Sequence, residues 1–330
     1  MSTVKPVNGT RLKNSFHLAG CLWVLLLAGG SALADQSIAD QYPGSLLYSK
    51  PVEVIPHVWS AIGATAPPDY KNAGHNNNLS FIVTDEGVVV MNSGASYLLA
   101  KALHDEIRKV TSQPVKFVFN ENAQGHAMLG NGYWLEQGAS IIAHRVAATE
   151  FGKSGATSLQ STVRVNQDQA AGTTVVLPNE TFKERRVLEL GGVRIEALWL
   201  GPAHSHGDVV LWLPEQKLVI SGDMAFHERL LPVFPDTDTA AWLKTWEKFE
   251  DLGALYVIPG HGHPTNMAQV RRYTRDYLVF LRSAVQALLD DGEDLQAAYE
   301  IDQSRYSHLH TFKELAAKNA GRVFEQMEFE

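Results

Sequence analysis

The chain has 330 residues, 45% of them hydrophobic and 9% aromatic, with a formal charge of −8. That length can bury a sizeable core and sets an expectation of one or two domains. An acidic chain without a basic cluster is a poor match to nucleic acid or to an anionic membrane surface, so neither is expected as a partner.

The first 34 residues stand apart. Lys5, Arg11 and Lys13 precede an apolar run, Leu18–Ala28, and Ala32-Leu33-Ala34 follows it. This is the layout of a secretory signal cleaved after Ala34, and the run is short for a membrane span. The expected location is periplasmic or secreted, with no membrane insertion after cleavage. Leu18-Ala19-Gly20-Cys21 also spells a lipobox, but the apolar run follows Cys21 where lipidation needs it upstream. Cys21 is the only cysteine. A chain cleaved after Ala34 therefore has no disulfide, thiolate ligand or cysteine nucleophile. The signal holds three of the 28 basic residues and none of the 36 acidic ones, so the remainder carries −11.

Residues 35–52 read as a loose arm. VEVIPHVWSAIG, from Val52, reads as one or two short strands broken by Pro56. Leu79–Thr84 and Val88–Met91 form a hairpin around Asp85-Glu86-Gly87. A helix fits Tyr97–Val110, with Leu99, Leu103, Ile107 and Val110 on one face and Ser96 as N-cap. The strand Val115–Phe119 ends in a polar loop, and a helix is expected from near His126 toward Leu135. Ile141–Ala143 is a buried strand, and residues 145–180 are expected to form a helix and a loop over the site. Gly152-Lys153-Ser154 lacks the glycine that a phosphate-binding loop needs at position 147, where Ala147 stands. Strands are expected at Arg186–Leu190, Val193–Leu198, Val209–Leu213, Lys217–Ser221 and Leu255–Pro259. A long amphipathic helix is expected from Met267 to Leu288, and another over Thr311–Phe324. Hairpins interleaved with helices imply a mixed α/β fold.

Three strand-to-loop junctions carry chemistry: Gly201-Pro202-Ala203-His204-Ser205-His206-Gly207-Asp208, Ser221-Gly222-Asp223-Met224 and Ile258-Pro259-Gly260-His261-Gly262-His263. Each follows an apolar strand, and their glycines let backbone crowd a site. Imidazoles and a carboxylate delivered from separate strand ends suit a zinc-type ion. Upstream, the loop Asn120–Asn131 aims Asn120, Asn122, Gln124 and His126 at every second position.

With that loop and the strand Gly87–Asn92, these junctions resemble the metallo-β-lactamase superfamily over residues 53–265. The secretory signal and C-terminal helices are similar to periplasmic members found with sulfur-oxidation and quinoprotein systems. The resemblance implies an αββα sandwich, two packed mixed β-sheets with helices on both outer faces. Residues 266–330 are then a helical extension packed on that domain. It also implies one or two metals, usually zinc, at one edge.

The family loop reads His-X-His-X-Asp-His, with Gly-Asn closing it. Anchored on Gly130-Asn131, it places Asn122, Gln124, His126 and Ala127 on the four ligand positions, and none keeps the family residue. Asn92 stands where the family often has Asp. Downstream, His204, Asp223 and His261 match the remaining ligands. The first family site would have one imidazole and two amides, which bind zinc weakly. In the second, His126 replaces the Asp and Ala127 cannot bind.

What survives is His126, His204, Asp223 and His261, enough for one zinc if they converge, and for none if they do not. With all four bound, no position remains open for water. With one held back, a water could be activated, and Asp223 or His126 could orient it and move its proton. His75 is a candidate replacement ligand, with a solvated loop position as the alternative, and Glu121 is a candidate base. His206 and His263 are expected to support the site or lie on the surface. His144, His227 and Asn319 have family-like surroundings without an assigned chemistry.

Two functions follow. One is a hydrolase of a small-molecule ester, thioester, lactone or amide with a single metal. The other is a non-catalytic protein of the same fold that binds a ligand or partner. Serine hydrolysis is disfavoured, since no Gly-X-Ser-X-Gly elbow is present. β-Lactam hydrolysis is disfavoured because the resemblance ties it to the missing loop ligands.

Overall fold

The computed structural model describes residues 40–330. The expected signal, Cys21 and the Ala34 cleavage site lie outside the described residues. The chain begins with β1 (Val52–Ile55), β2 (Val58–Ala61), β3 (Leu79–Thr84) and β4 (Gly87–Met91). Helix α1 (Tyr97–Val110), β5 (Val115–Asn120), α2 (Gly125–Met128), α3 (Asn131–Glu136), β6 (Ser140–His144), α4 (Arg145–Asn166) and β7 (Glu180–Phe182) follow. These seven strands form one sheet in chain order, antiparallel from β1 to β4 and parallel from β4 to β7. A second sheet contains β8 (Arg185–Leu190), β9 (Val193–Leu198), β10 (Val210–Leu213), β11 (Leu218–Phe226) and β12 (Tyr256–His261). Its β11–β12 pair is parallel, joined through α5 (Thr239–Glu250). The chain ends in α6 (Met267–Tyr273), α7 (Arg275–Asp290), α8 (Leu295–Tyr299) and α9 (Phe312–Met327).

Strand alternation sorts the core into layers. In β4, Val88 and Val90 pack with Leu99, Leu103 and Ile107 of α1. Val89 and Met91, pointing the other way, meet Leu211, Ile220 and Ile258 of the second sheet. In β11, Leu218 and Ile220 face between the sheets, while Val219 faces Trp242, Trp246 and Tyr277. Helix, sheet, sheet and helix therefore stack as an αββα sandwich, with both sheets mixed in direction.

Helix α1 starts where Ser96 Oγ accepts the Leu99 N–H at 3.1 Å, a cap worth about 1 kcal/mol. The helix expected from His126 to Leu135 is divided into α2 and α3 at Gly130, which packs on the Ser93 carbonyl with no room for a Cβ. The helix expected over 267–288 is divided at Thr274, whose Oγ1 accepts the Phe226 N–H at 2.9 Å. A side chain committed to the end of β11 interrupts the helical run. The stretch expected as a loose arm is tied down over part of its length: Leu47 is buried and Ser49 Oγ donates to the Ile62 carbonyl at 2.8 Å.

Candidate metal centre

Glu121 leaves the end of β5 under main-chain control. Its N–H donates to Asn92 Oδ1 at 3.1 Å and its carbonyl accepts the Val209 N–H at 2.9 Å. Asn92 does this from a left-handed backbone, φ 70°, a conformation asparagine tolerates better than most residues. Asp223 lies within β11, where the register against β12 shifts between Gly222 and Phe226. Such an irregularity re-aims a side chain. Gly222 has φ +52°, and a Cβ there would overlap Glu121 Oε2. A Cβ on Gly260 would overlap Asp223 Oδ1. The two glycines thus leave space for two buried carboxylates.

His204 comes from the β9–β10 connection and His261 from the end of β12. Both point at Asp223. His261 Nε2 is 3.2 Å from Asp223 Oδ1, and His204 Nδ1 is 3.7 Å from Asp223 Oδ2. His126 Nε2 is 3.7 Å from the same Oδ2 and 2.9 Å from Glu121 Oε1. Ligand atoms of Glu121, His126 and Asp223 all lie within 4.8 Å of one another.

The protonation pattern favours a cation. His261 Nδ1 contacts the Asn76 carbonyl, which can only accept, so this nitrogen carries the proton. Nε2 then turns a lone pair toward Asp223 Oδ1. That oxygen, Glu121 Oε2 and both ring nitrogens of His204 are buried without hydrogen-bond partners. Buried polar atoms left unpaired are costly and rare, and a positive ion among them would remove that cost for the carboxylate oxygens and for the acceptor nitrogen of His204.

Burial lowers His204, the Asp223 charge opposing only in part. Burial, then the Arg229 charge, lowers His261 to about 4. Both are neutral, as ligation requires. Burial works against the Asp223 carboxylate, but the surrounding imidazoles outweigh it and hold Asp223 below the usual range. Glu121 moves up, through burial and then the Asp223 charge. Burial would depress His126, but its bond to Glu121 and the two carboxylate charges outweigh this and raise it.

Two neutral imidazoles, an ionised carboxylate and the Glu121–His126 pair fit a divalent ion of the zinc type. The structure thus brings together His126, His204, Asp223 and His261, with Glu121 among them. Asn122 touches the group through Nδ2, 3.3 Å from Asp223 Oδ2 and 3.2 Å from Asp208 Oδ1. Gln124 stands at the N-cap position of α2 on the cavity wall without a side-chain capping bond, and Ala127 is core whose carbonyl accepts from Asn120 Nδ2 and Ser93. His75 is fully buried, not solvated, and its Nδ1 accepts the Tyr48 N–H at 2.8 Å. His206 is half-exposed near Glu150, while His263 bonds Glu228 at 2.9 Å.

Sequence reasoning missed Arg229, a buried cation beside His261. Its signal was a charge within the largely apolar stretch Met224–Val233. It also missed Asn78 as a clamp, whose Nδ2 donates to the carbonyls of Pro259 and Gly262 and fixes the His261 turn.

The sandwich and the donor set at the strand ends define a metallohydrolase-type scaffold. The chain is similar to the metallo-β-lactamase superfamily, whose sequence pattern matches residues 126–261. It is 25% identical over 194 residues to the type 2 metallo-β-lactamase of Bacteroides fragilis, covering 55% of this chain and 70% of that protein. It is 19% identical over 252 residues to a linear primary-alkylsulfatase of Pseudomonas sp., covering 64% of this chain and 47% of the sulfatase. Among solved structures, a metallo-β-lactamase from Pontibacter korlensis superposes with TM-score 0.56 at 19% identity, covering 69% of this chain and 97% of that one. An inverting sec-alkylsulfatase from Pseudomonas sp. gives 0.65 at 19% identity, covering 84% and 50%. The chain thus spans about half the length of the alkylsulfatases it matches. At this identity the structural likeness establishes the fold.

Proposed function

We propose that the protein is a periplasmic or secreted hydrolase of a small ester, thioester, lactone or amide, using a single zinc ion. The observation that carries this reading is the convergence of His261 Nε2 with the unpaired, buried Asp223 Oδ1 and His204 ring at the wall of a cavity of about 690 Å³. A pocket of this size suits a small molecule. Asp223, His204 and His261 would hold the ion, with His126 or Glu121 completing the set. A divalent ion there would polarise the scissile carbonyl and acidify a water.

The chain's own residues supply the rest. The Asn76 carbonyl fixes the His261 tautomer, and Asn122 Nδ2 holds Asp223 while bridging to Asp208. Outer contacts of this kind orient ligands. The Glu121–His126 pair is the candidate proton carrier: it can take a proton from the attacking water and return it to the leaving group. Asn122, Gln124 and Ala127 offer no strong donors for a second ion, which supports a single-metal reading.

The test is turnover of a panel of nitrophenyl esters, thioesters, lactones and β-lactams. Activity abolished by a chelator, restored by zinc and lost in His261→Ala supports the proposal. Activity indifferent to both contradicts it. Metal binding without turnover of any substrate favours the non-catalytic binding protein instead.

A further inference from the structure

We propose that Asn166 is a ligand-binding residue of the cavity, and that its Oδ1 accepts from a neutral N–H or O–H group carried by the ligand. The proposal rests on the hydrolase reading only in taking that ligand to be the substrate.

The cavity that has His204, Asp223 and His261 on its wall is also lined by α4. Ser154, Ser158, Thr162 and Asn166, every fourth residue of that helix, all line it. Residues so spaced form one ridge on a helix surface. The ridge ends in Asn166, which is 1% exposed. Its Nδ2 donates to the Ala73 carbonyl at 3.0 Å. A carbonyl only accepts, so this contact fixes which end of the amide is nitrogen. Ala73 and Gly74 are both left-handed, with φ 52° and 70°, and a Cβ on Gly74 would press on Asn166 Nδ2. The amide is thus held in one orientation. That orientation leaves Oδ1 buried, with no hydrogen-bond partner among the described residues. A buried amide oxygen without a donor is costly, and a ligand that brings a donor recovers the cost. Asp223, the one carboxylate among the described residues lining the cavity, belongs to the metal-ligand cluster. The rest of the ridge is hydroxyls, so the complementary donor is an uncharged amide or hydroxyl group.

The test is titration of the purified protein, followed by ligand NMR, with two pairs of probes matched in shape. N-butylacetamide is compared with methyl pentyl ketone, which has CH₂ in place of N–H, and hexanol with its isomer methyl pentyl ether. Binding of these probes needs no turnover, so a protein that hydrolyses nothing can still pass, and an active hydrolase can still fail. In at least one pair wild type is expected to prefer the donor, and Asn166→Leu to lower the ratio of the two affinities about fivefold. A fall in the first pair assigns an amide N–H, and a fall in the second a hydroxyl. Asn166→Asp, which keeps an acceptor, is expected to keep the ratio, and serves as the comparison if Asn166→Leu does not fold. An asparagine that only ties α4 to Ala73 would give the same ratio in wild type and both variants. That result, or a wild type that prefers neither donor, or an equal fall in both variants, would overturn the proposal.

Discussion

His261 Nε2 lies 3.2 Å from Asp223 Oδ1 while the other nitrogen of the same ring is committed to the Asn76 carbonyl. The ring is neutral, held at about 4 by burial and then by the Arg229 charge. A lone pair therefore faces a carboxylate oxygen inside the protein. Asn122 holds the other oxygen of Asp223 at 3.3 Å. Asn122→Ala should lower zinc affinity by about 10- to 100-fold, the usual effect of losing a residue that orients a ligand. Competition against a chromophoric chelator measures it, and unchanged affinity would remove Asn122 from the site.

Gly222 separates two carboxylates. Its φ of +52° disfavours any side chain, and a methyl would overlap Glu121 Oε2. Gly222→Ala is expected to cost about 2–4 kcal/mol in chemical denaturation, from backbone strain plus the overlap. The cost should shrink in a Glu121→Ala background. Equal costs in both backgrounds would show that the Glu121 side chain does not press on this position.

His75 sets a pH dependence of stability. Burial lowers its pKa to about 4 from the ordinary 6.5. The unfolded chain takes up a proton below about pH 6.5, whereas the folded chain resists until about pH 4. The contribution is complete above pH 6.5 and is lost as pH falls toward 4, by about 3 kcal/mol in all. His75→Asn, which keeps an acceptor for the Tyr48 N–H, should flatten this part of the wild-type profile. Identical profiles from pH 7.5 to 4.5 would contradict the assignment.

Asn319 ties α9 to the cavity. Its Nδ2 donates to the Leu231 carbonyl at 2.7 Å and its Oδ1 accepts the Val233 N–H at 2.9 Å. Pro232 and Phe234, on either side of Val233, line the cavity. Asn319→Ala leaves two buried backbone groups unsatisfied and should cost about 2–4 kcal/mol. It should also raise KM more than it lowers kcat, since the wall is disturbed and the donor cluster is not. A stability loss below about 0.5 kcal/mol would contradict it.

Local signals in the sequence match local features of the fold. The Ser96 cap and the stripe of Leu99, Leu103 and Ile107 mark α1, and the continuous apolar run in Gly87–Met91 marks a strand buried on both faces. Helix α5 also carries such a signal, with Asp238 as cap and Trp242, Trp246 and Phe249 on its buried face, although the chain-order reading assigns no helix there. The divisions at Gly130 and Thr274 depend on contacts with Ser93 and Phe226, which no local pattern reveals. The same holds at the site. His204, Asp223 and His261 stand out as ligand types at strand ends. Glu121 becomes a neighbour of Asp223 only through the glycine at 222, and Arg229 becomes a buried cation only when the fold closes over it.

The most direct test of the central claim is the metal content of the purified protein, measured by elemental mass spectrometry alongside His261→Ala. About one zinc per chain, largely lost in a variant with unchanged circular dichroism, is the predicted result. A folded wild-type protein that takes up no divalent metal even when zinc is supplied, or one that binds two ions with equal affinity, would contradict it.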